Sequence, residues 1–341
     1  MKYLVTGHTG FKGSWLSLML KNLGHRVSGF SLEAENGSLF NQIEPESIFD
    51  ESIAGDVRSL PDFEKALRAT NPDVVIHLAA QSLVRESYRN PVFTYETNVT
   101  GSHNVLRATK DKDNPPILLM ITTDKVYLND GRKKGYEEND GLGGKDPYSS
   151  SKAIADILIQ SWQQDNPNLS IGIARAGNVI GGGDSSKERL LPDLIEAFEN
   201  DKSIELRSPN AVRPWQHVLD CLSGYLKLID LMVNTPGSIG AWNFGPDMSQ
   251  VRTVAEVTSK AAESWGVPLK WNLGSYDGLA EADFLLLDSS KARHSLKWND
   301  KLDFEKAVEW TINWHLKLKR GVSAREAMSE DIENFLSLEK S

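Results

Sequence analysis

The chain has a single cysteine, Cys221, so no disulfide can form within it and no metal site can rest on a cysteine cluster. Cys221 falls in an apolar helical stretch and is expected to pack in the core. The seven histidines show no H-E-x-x-H or similar spacing, so no metal is expected. No apolar run approaches the roughly 20 residues that a membrane-spanning helix needs. An excess of basic charge is also missing. The formal net charge is −9, which argues against a general affinity for nucleic acid or for an anionic membrane. The opening "MKYLVTG" enters a strand almost at once and leaves no room for a signal peptide, so a cytoplasmic location is the expectation. Repeats and low-complexity tracts are absent.

What remains is ordinary globular composition, 40% hydrophobic and 25% charged over 341 residues. Strand-like and helix-like segments alternate through the first half. Residues 2–6 read as a strand. Residues 12–23 read as a helix, with Trp15, Leu16, Met19, Leu20 and Leu23 at helical spacing and Gly24 at its end. "HRVSGFS", "DVVIHLAA" and "PPILLMITT" read as strands. "PDFEKALRAT", "YETNVTGSHNVLRATK" and "YSSSKAIADILIQSWQQ" read as helices. "SIGIARAGNVIG" is a strand running into a glycine-rich loop. This alternation predicts an α/β fold, a doubly wound parallel sheet of Rossmann type with helices on both faces. Residues 1–179 are expected to form a dinucleotide-binding domain, with segments near 215–245 returning to it. Residues 180–214 and 246–320 are expected to form a smaller, mainly C-terminal substrate domain. The charged tail, 321–341, is left open as helical or frayed.

The loop "VTGHTGFKGSWL" places Gly7, Gly10 and Gly13 between a strand and a helix. Glycine permits the tight turn, and the helix N-terminus offers N–H groups and a positive dipole end to a pyrophosphate. Thr9 and Phe11 belong to the same candidate cofactor site. The acid that usually meets the adenosine ribose, about 20 residues on, is replaced by Ser31. No basic residue follows closely to take a 2′-phosphate, so NAD is preferred to NADP. Asp56 and Val57 follow a short strand and are candidates to meet the adenine; Asp56 could equally be a solvated turn residue. Leu78, Ala79 and Ala80 end another strand where a flat cofactor could pass.

Tyr148 and Lys152 are four residues apart, which puts both on one face of a helix. A tyrosine near pKa 10 is a poor base at neutral pH, and a neighbouring ammonium stabilises its phenolate. In "TTDKVY" an apolar strand runs straight into Thr122, Thr123, Asp124 and Lys125. In a doubly wound sheet the carboxyl end of a strand faces the ligand.

Together, T-G-x-x-G-x-x-G, Tyr-x-x-x-Lys and a Thr after the preceding strand resemble the extended short-chain dehydrogenase/reductases that act on nucleotide sugars. "AAQSLVR", "DPYSSSK", "RAGNVIGGGD", "RPWQHVL" and "WNFGP" extend the resemblance over nearly the whole chain. "HTGFKGSWL" and "RPWQHVL" are its more specific marks, and they point to the branch that dehydrates CDP-glucose. Two positions depart from the pattern: Ser82, where proline is expected, and Ser185, where an aromatic is expected in the substrate region.

The resemblance implies an NAD-dependent hydro-lyase that turns CDP-glucose into a 4-keto-6-deoxy sugar nucleotide. Thr123, Tyr148 and Lys152 would oxidise C4. A dehydratase must also remove the C5 proton and expel the C6 hydroxyl, which needs an acid and a base. Asp124 would be the acid and Lys125 the base, or else a charged stabiliser of the enolate. Epimerases tend to carry small uncharged residues there. The resemblance further implies that Asn178 contacts the substrate phosphates. Arg213 is the first candidate for a phosphate clamp, because guanidinium holds two oxygens at once. Arg189 and Arg252 are weaker ones. Gln81 and Arg85 are placed near the hexose or the mouth of the site. His217 is included on the substrate side, although an apolar helix follows it and a structural role is its default. Trp215 and Trp242 are candidates either to stack on the base or to fill the core. A homodimer joined through helices near 94–111 and 148–164 is implied. The alternatives are a dehydratase of another nucleotide sugar, a 4-epimerase, or a non-catalytic NAD sensor.

Overall fold

The apolar runs read as strands stack into one seven-stranded sheet in the computed structural model, which describes residues 1–274 and 284–338. Its strands are β1 (Lys2–Thr6), β2 (Arg26–Ser31), β3 (Glu51–Ala54), β4 (Val74–His77), β5 (Ile117–Thr123), β6 (Ile171–Ala176) and a seventh, Gly240–Phe244. The order across the sheet is seventh–β6–β5–β4–β1–β2–β3, and every neighbouring pair is parallel. Strand order reverses between β1 and β4, which opens a crevice beyond their carboxyl ends.

Alternation at period two divides the strand side chains between two cores. Tyr3, Val5, Val74, Ile76, Leu119 and Ile121 face one, and Leu4, Val75, Leu118 and Met120 face the other. Helices Phe11–Asn22 and Val218–Asn234 cover the first face. Helices Leu60–Thr70, Gly101–Lys110 and Pro147–Asp165 cover the second. Burial on both faces explains why these strands read as unbroken apolar runs. Cys221 is buried as expected.

The helix expected over 95–110 is interrupted. Pro91–Tyr95 is α-helical, Glu96–Thr100 is a π turn, and Gly101–Lys110 is α-helical again. The wider turn carries Asn98, whose amide brackets the backbone of Gln81. Asn98 Oδ1 accepts from Gln81 N at 2.9 Å, and Asn98 Nδ2 donates to Gln81 O at 3.0 Å. Nδ2 also reaches Ser151 Oγ, 2.9 Å away on the helix that carries Tyr148.

Beyond β6 the chain makes short pairings. Ile204–Leu206 lies parallel to Trp271–Leu273, and Val212–Arg213 antiparallel to Arg252–Thr253. Helices Leu190–Glu199, Val254–Trp265 and Phe304–Lys319 pack around them. In the expected segment 246–320, residues 275–283 lie outside the described residues, as do 339–341 of the tail.

The rest of the tail is a capped helix, Ala324–Ser337, with a capping box between Ser323 and Glu326. It buries Ala327, Met328, Ile332 and Phe335 fully and lies against helix Phe11–Asn22. Lys317 and Asp331 pin it at 2.8 Å. Among the described residues no helix is long and apolar enough to cross a membrane.

Candidate active site

A cavity of about 1410 Å³ lies beyond the carboxyl ends of the strands. β1 ends at Thr6, and Gly7 follows with φ +71°, a left-handed conformation that favours glycine. A Cβ on Gly7 would stand 2.8 Å from Ala79 N, and one on Gly13 only 2.2 Å from Gly7 O. These two glycines let strand and helix approach one another. Gly10 differs: it is exposed, and its Cβ would meet nothing nearer than Gly7 O at 3.4 Å. It is also the N-cap of helix Phe11–Asn22, with no side-chain cap and no acid in the first turn. The free N–H groups and dipole end therefore face the cavity unneutralised, which fits a pyrophosphate.

Thr9 and Ser31 join their hydroxyls at 2.9 Å beside this loop. Asp56 is gripped by Arg58, with Nε and Nη2 at 2.9 and 2.6 Å from Oδ2. That grip holds its carboxyl below the usual carboxylate range. Val57, Leu78, Ala79, Ala80 and Phe11 complete this part of the wall. The residues present fit a dinucleotide.

Thr123, Asp124, Lys125, Tyr148 and Lys152 all line the same cavity. Helix Pro147–Asp165 begins at Asp146, which accepts from Ser149 N at 2.9 Å, with Pro147 in its first turn. This cap fixes Tyr148 within the first turn. Burial pushes the Tyr148 phenol up to about 12, while a hydrogen bond with Thr123 pulls it down. The expectation was that Lys152 lowers this phenol. In the structure Lys152 Nζ instead donates to Ile121 O at 3.2 Å, and burial outweighs the rest. The Lys152 amine is itself brought down to about 8, by burial first and then by the charge of Lys12.

Asp124 and Lys125 form a single 3-10 turn with Val126 at the end of β5. The Asp124 side chain is buried, at 2% exposure. Oδ1 accepts from Thr123 Oγ1 at 2.8 Å, and Oδ2 has no partner. Burial raises its pKa, against the opposing pull of Lys125, Thr123 and Arg213. A buried carboxyl with one unpartnered oxygen and a raised pKa can hold a proton. Lys125 is half-buried beside it.

The substrate-side candidates mostly reach the cavity as well. Asn178, Arg85, Arg189 and Arg213 line it. Arg189 Nη1 bonds Asp184 at 2.9 Å, and Nη2 bonds Ser82 at 3.3 Å. Arg85 and Arg89 both approach Glu188, at 3.8 and 3.0 Å. Gln81 is at the wall, but its amide is engaged internally, accepting from Leu83 N and donating to Leu83 O and Thr94 Oγ1. His217 is the correction. It does not line the cavity; it is buried between Trp15 and Trp310 and accepts from Leu219 N at 3.3 Å as the cap of helix Val218–Asn234. One ring nitrogen caps the helix, the other, Nε2, is buried without a hydrogen-bond partner among the tryptophans, and neither opens onto the cavity. Arg252 stacks on Phe304 outside the wall. Trp215 lines the cavity, whereas Trp242 is buried under Lys291.

A cavity residue, Lys12, and a residue that holds the cavity wall from behind, Asn98, escaped the sequence reading. Lys12 lines the cavity, and its charge acts on Lys152. A cation in the first turn of a helix, where acids are favoured, was the available signal. Asn98 gave none, because a π turn leaves no mark on helical periodicity.

Residues 3–244 match the NAD dependent epimerase/dehydratase family. A CDP-glucose 4,6-dehydratase of Salmonella typhimurium is 38% identical, covering 98% of this chain and 96% of that protein. Two solved structures share the fold. A dTDP-glucose 4,6-dehydratase of Bacillus anthracis in complex with NAD superposes with a TM-score of 0.79 at 24% identity, covering 94% of this chain and 98% of the other. A UDP-glucose 4-epimerase of Bifidobacterium longum with NAD+ and UDP gives 0.82 at 23%, covering 94% and 100%. The glycine loop at an uncapped helix start, the Tyr148–Lys152 helix and this full-length similarity agree: the chain belongs to the NAD dependent epimerase/dehydratase family.

Proposed function

We propose that the chain dehydrates CDP-glucose to CDP-4-keto-6-deoxyglucose. The observation that carries this is the buried Asp124, with one oxygen on Thr123 and the other unpartnered, in the same wall as Tyr148. NAD, held by the loop of Gly7, Gly10 and Gly13 with Ser31 and Val57, would supply the redox chemistry, a hydride acceptor for C4 and a hydride donor for C6. Tyr148 takes the O4 proton, and Thr123 orients that hydroxyl. The C4 ketone acidifies the C5 hydrogen. Lys125 removes it, and Asp124 gives its proton to the departing C6 hydroxyl, which leaves as water. The protonated Lys125, exchanging with solvent, then gives a proton back to C5.

Arg213 and Asn178 hold the diphosphate, with Arg189 and Arg85 at the mouth. Residues 180–214 and 246–320 hold the nucleotide sugar, and 1–179 the cofactor. The protein works as a cytoplasmic homodimer. Exposed Val92, Ile154 and Ile157, on the Pro91–Tyr95 and Pro147–Asp165 helices, support the dimer. The cytoplasmic assignment rests on the sugar-nucleotide substrate.

Isotopes test the chemistry. CDP-glucose deuterated at C4 should give product with deuterium at C6, and reaction in heavy water should label C5. Deuterium kept at C4 without loss of water would establish a 4-epimerase instead. Turnover of CDP-, dTDP-, GDP- and UDP-glucose in parallel tests the nucleotide.

A further inference from the structure

We propose that Asp156 and Arg175, neither of which touches the cavity, are the positioning pair that sets the Tyr148 helix against the turn carrying Asp124 and Lys125. The inference rests on the dehydratase reading of that turn. Asp156 follows Tyr148 and Lys152 at successive intervals of four, so all three lie along one face of helix Pro147–Asp165. Arg175 lies on β6, directly across from Thr122 on β5. Both side chains have 0% exposure.

The carboxylate gathers four donors. Arg175 reaches it with Nε at 2.9 Å and Nη2 at 2.7 Å. Thr122 Oγ1 donates at 2.9 Å, one residue before Thr123. Gln160 Nε2 donates at 2.8 Å. On its other side the guanidinium donates from Nη1 to Tyr127 OH at 2.8 Å and to Glu138 O at 2.9 Å. The Tyr127 hydroxyl in turn donates to Asn243 Oδ1 at 2.7 Å, on the seventh strand. Thr122 and Tyr127 bracket the segment that holds Thr123, Asp124 and Lys125. One ion pair thus fastens both ends of that segment, and its carboxylate belongs to the tyrosine's own helix.

Stability alone is a poor reason for such a pair. Taking two charges out of water offsets most of their attraction, and apolar residues of similar volume serve a core as well. What apolar contact at this one point does not supply is a directed constraint between the helix and the turn. Directed bonds do, and the reaction depends on register: Tyr148 must meet O4 while Lys125 and Asp124 meet C5 and C6.

Deleting a whole charge risks a protein that does not fold, so the primary variants each remove one hydroxyl and the charge variants are compared only at equal folded fraction. In Thr122→Val and Tyr127→Phe, kcat for CDP-glucose should fall about tenfold through misplacement of the reacting groups. In Tyr127→Phe, whose side chain lies outside the cavity wall, KM for CDP-glucose and Kd for NAD should stay within about twofold. Asp156→Glu, which keeps the charge, should retain more kcat than Asp156→Asn at equal folded fraction. Unchanged kcat in both hydroxyl variants would overturn the inference, as would losses that only track the folded fraction. If the wild-type protein does not dehydrate CDP-glucose at all, the functional reading fails first, and the variants' effect on whichever reaction it performs still decides the positioning role.

Discussion

Thr123 donates its hydroxyl to Oδ1 of Asp124 at 2.8 Å, so the residue assigned to C4 oxidation is bonded directly to the one assigned to elimination. Burial raises the Asp124 carboxyl. An acid with a raised pKa keeps its proton to higher pH, so its catalytic form is lost as pH rises through that value. The kcat profile should therefore fall on its alkaline side through Asp124. In Asp124→Asn that limb should vanish, and kcat should drop about 10²- to 10⁴-fold, the usual worth of a general acid. Oxidation at C4 needs no acid at C6, so the reduced cofactor should build up and show in near-ultraviolet absorbance. Full turnover in this variant would remove Asp124 from the mechanism.

The glycine loop should respond unequally to alanine. At Gly13 a methyl would meet Gly7 O at 2.2 Å, and both partners are backbone. Gly13→Ala should cost about 2–3 kcal/mol in unfolding free energy, by overpacking. Gly10→Ala has room in the protein itself and should melt like the wild type. Its methyl faces the cavity, so calorimetric titration should show NAD affinity falling without a loss of fold.

Four buried imidazoles should make the protein acid-labile. Burial brings His8 and His315 down to about 4 and His77 and His217 to about 3, all from 6.5. As pH falls below 6.5 the unfolded chain takes up protons that the folded one refuses. Stability present above pH 6.5 is then lost progressively toward pH 3. Asp220, pushed up to about 7 by burial, acts with the opposite sign. His217→Asn keeps an acceptor for Leu219 N and removes one titrating group. The fall in Tm between pH 6.5 and 4 should be shallower in this variant than in the wild type, and an identical slope would refute the assignment.

Removal of helix Ala324–Ser337 should weaken cofactor binding at a distance. Its buried Met328, Ile332 and Phe335 belong to the same core as Trp15 and Leu18, on the helix whose start faces the pyrophosphate site. A chain ending at residue 322 should melt at least several degrees lower. Its NAD affinity should fall too, by fluorescence titration at a temperature where it remains folded. Unchanged affinity would show that the first helix holds its place alone.

The sheet was legible because burial on both faces writes continuous apolar runs, and the candidate site residues because they sit at strand and helix ends that those runs locate. Tyr148, Lys152, Thr123 and Asp124 needed only spacing and a strand end to be brought together. His217 entered the substrate candidates although a structural role was its default, and that role, capping a helix between two tryptophans, depends on partners at positions 15 and 310. The pull of Lys152 on Tyr148 was overstated for a related reason. Spacing says that two side chains share a face, but not that burial outweighs their interaction or that an amine finds a carbonyl such as that of Ile121. The tail was ambiguous because its apolar face is complete only against a helix about 300 residues earlier.

That pairing also carries a consequence for synthesis. A ribosome releases residues 11–22 about 300 residues before residues 324–337. Between those moments the first helix has no covering for one flank. The nucleotide loop at its head therefore gains this support only when a segment about 300 residues downstream has emerged.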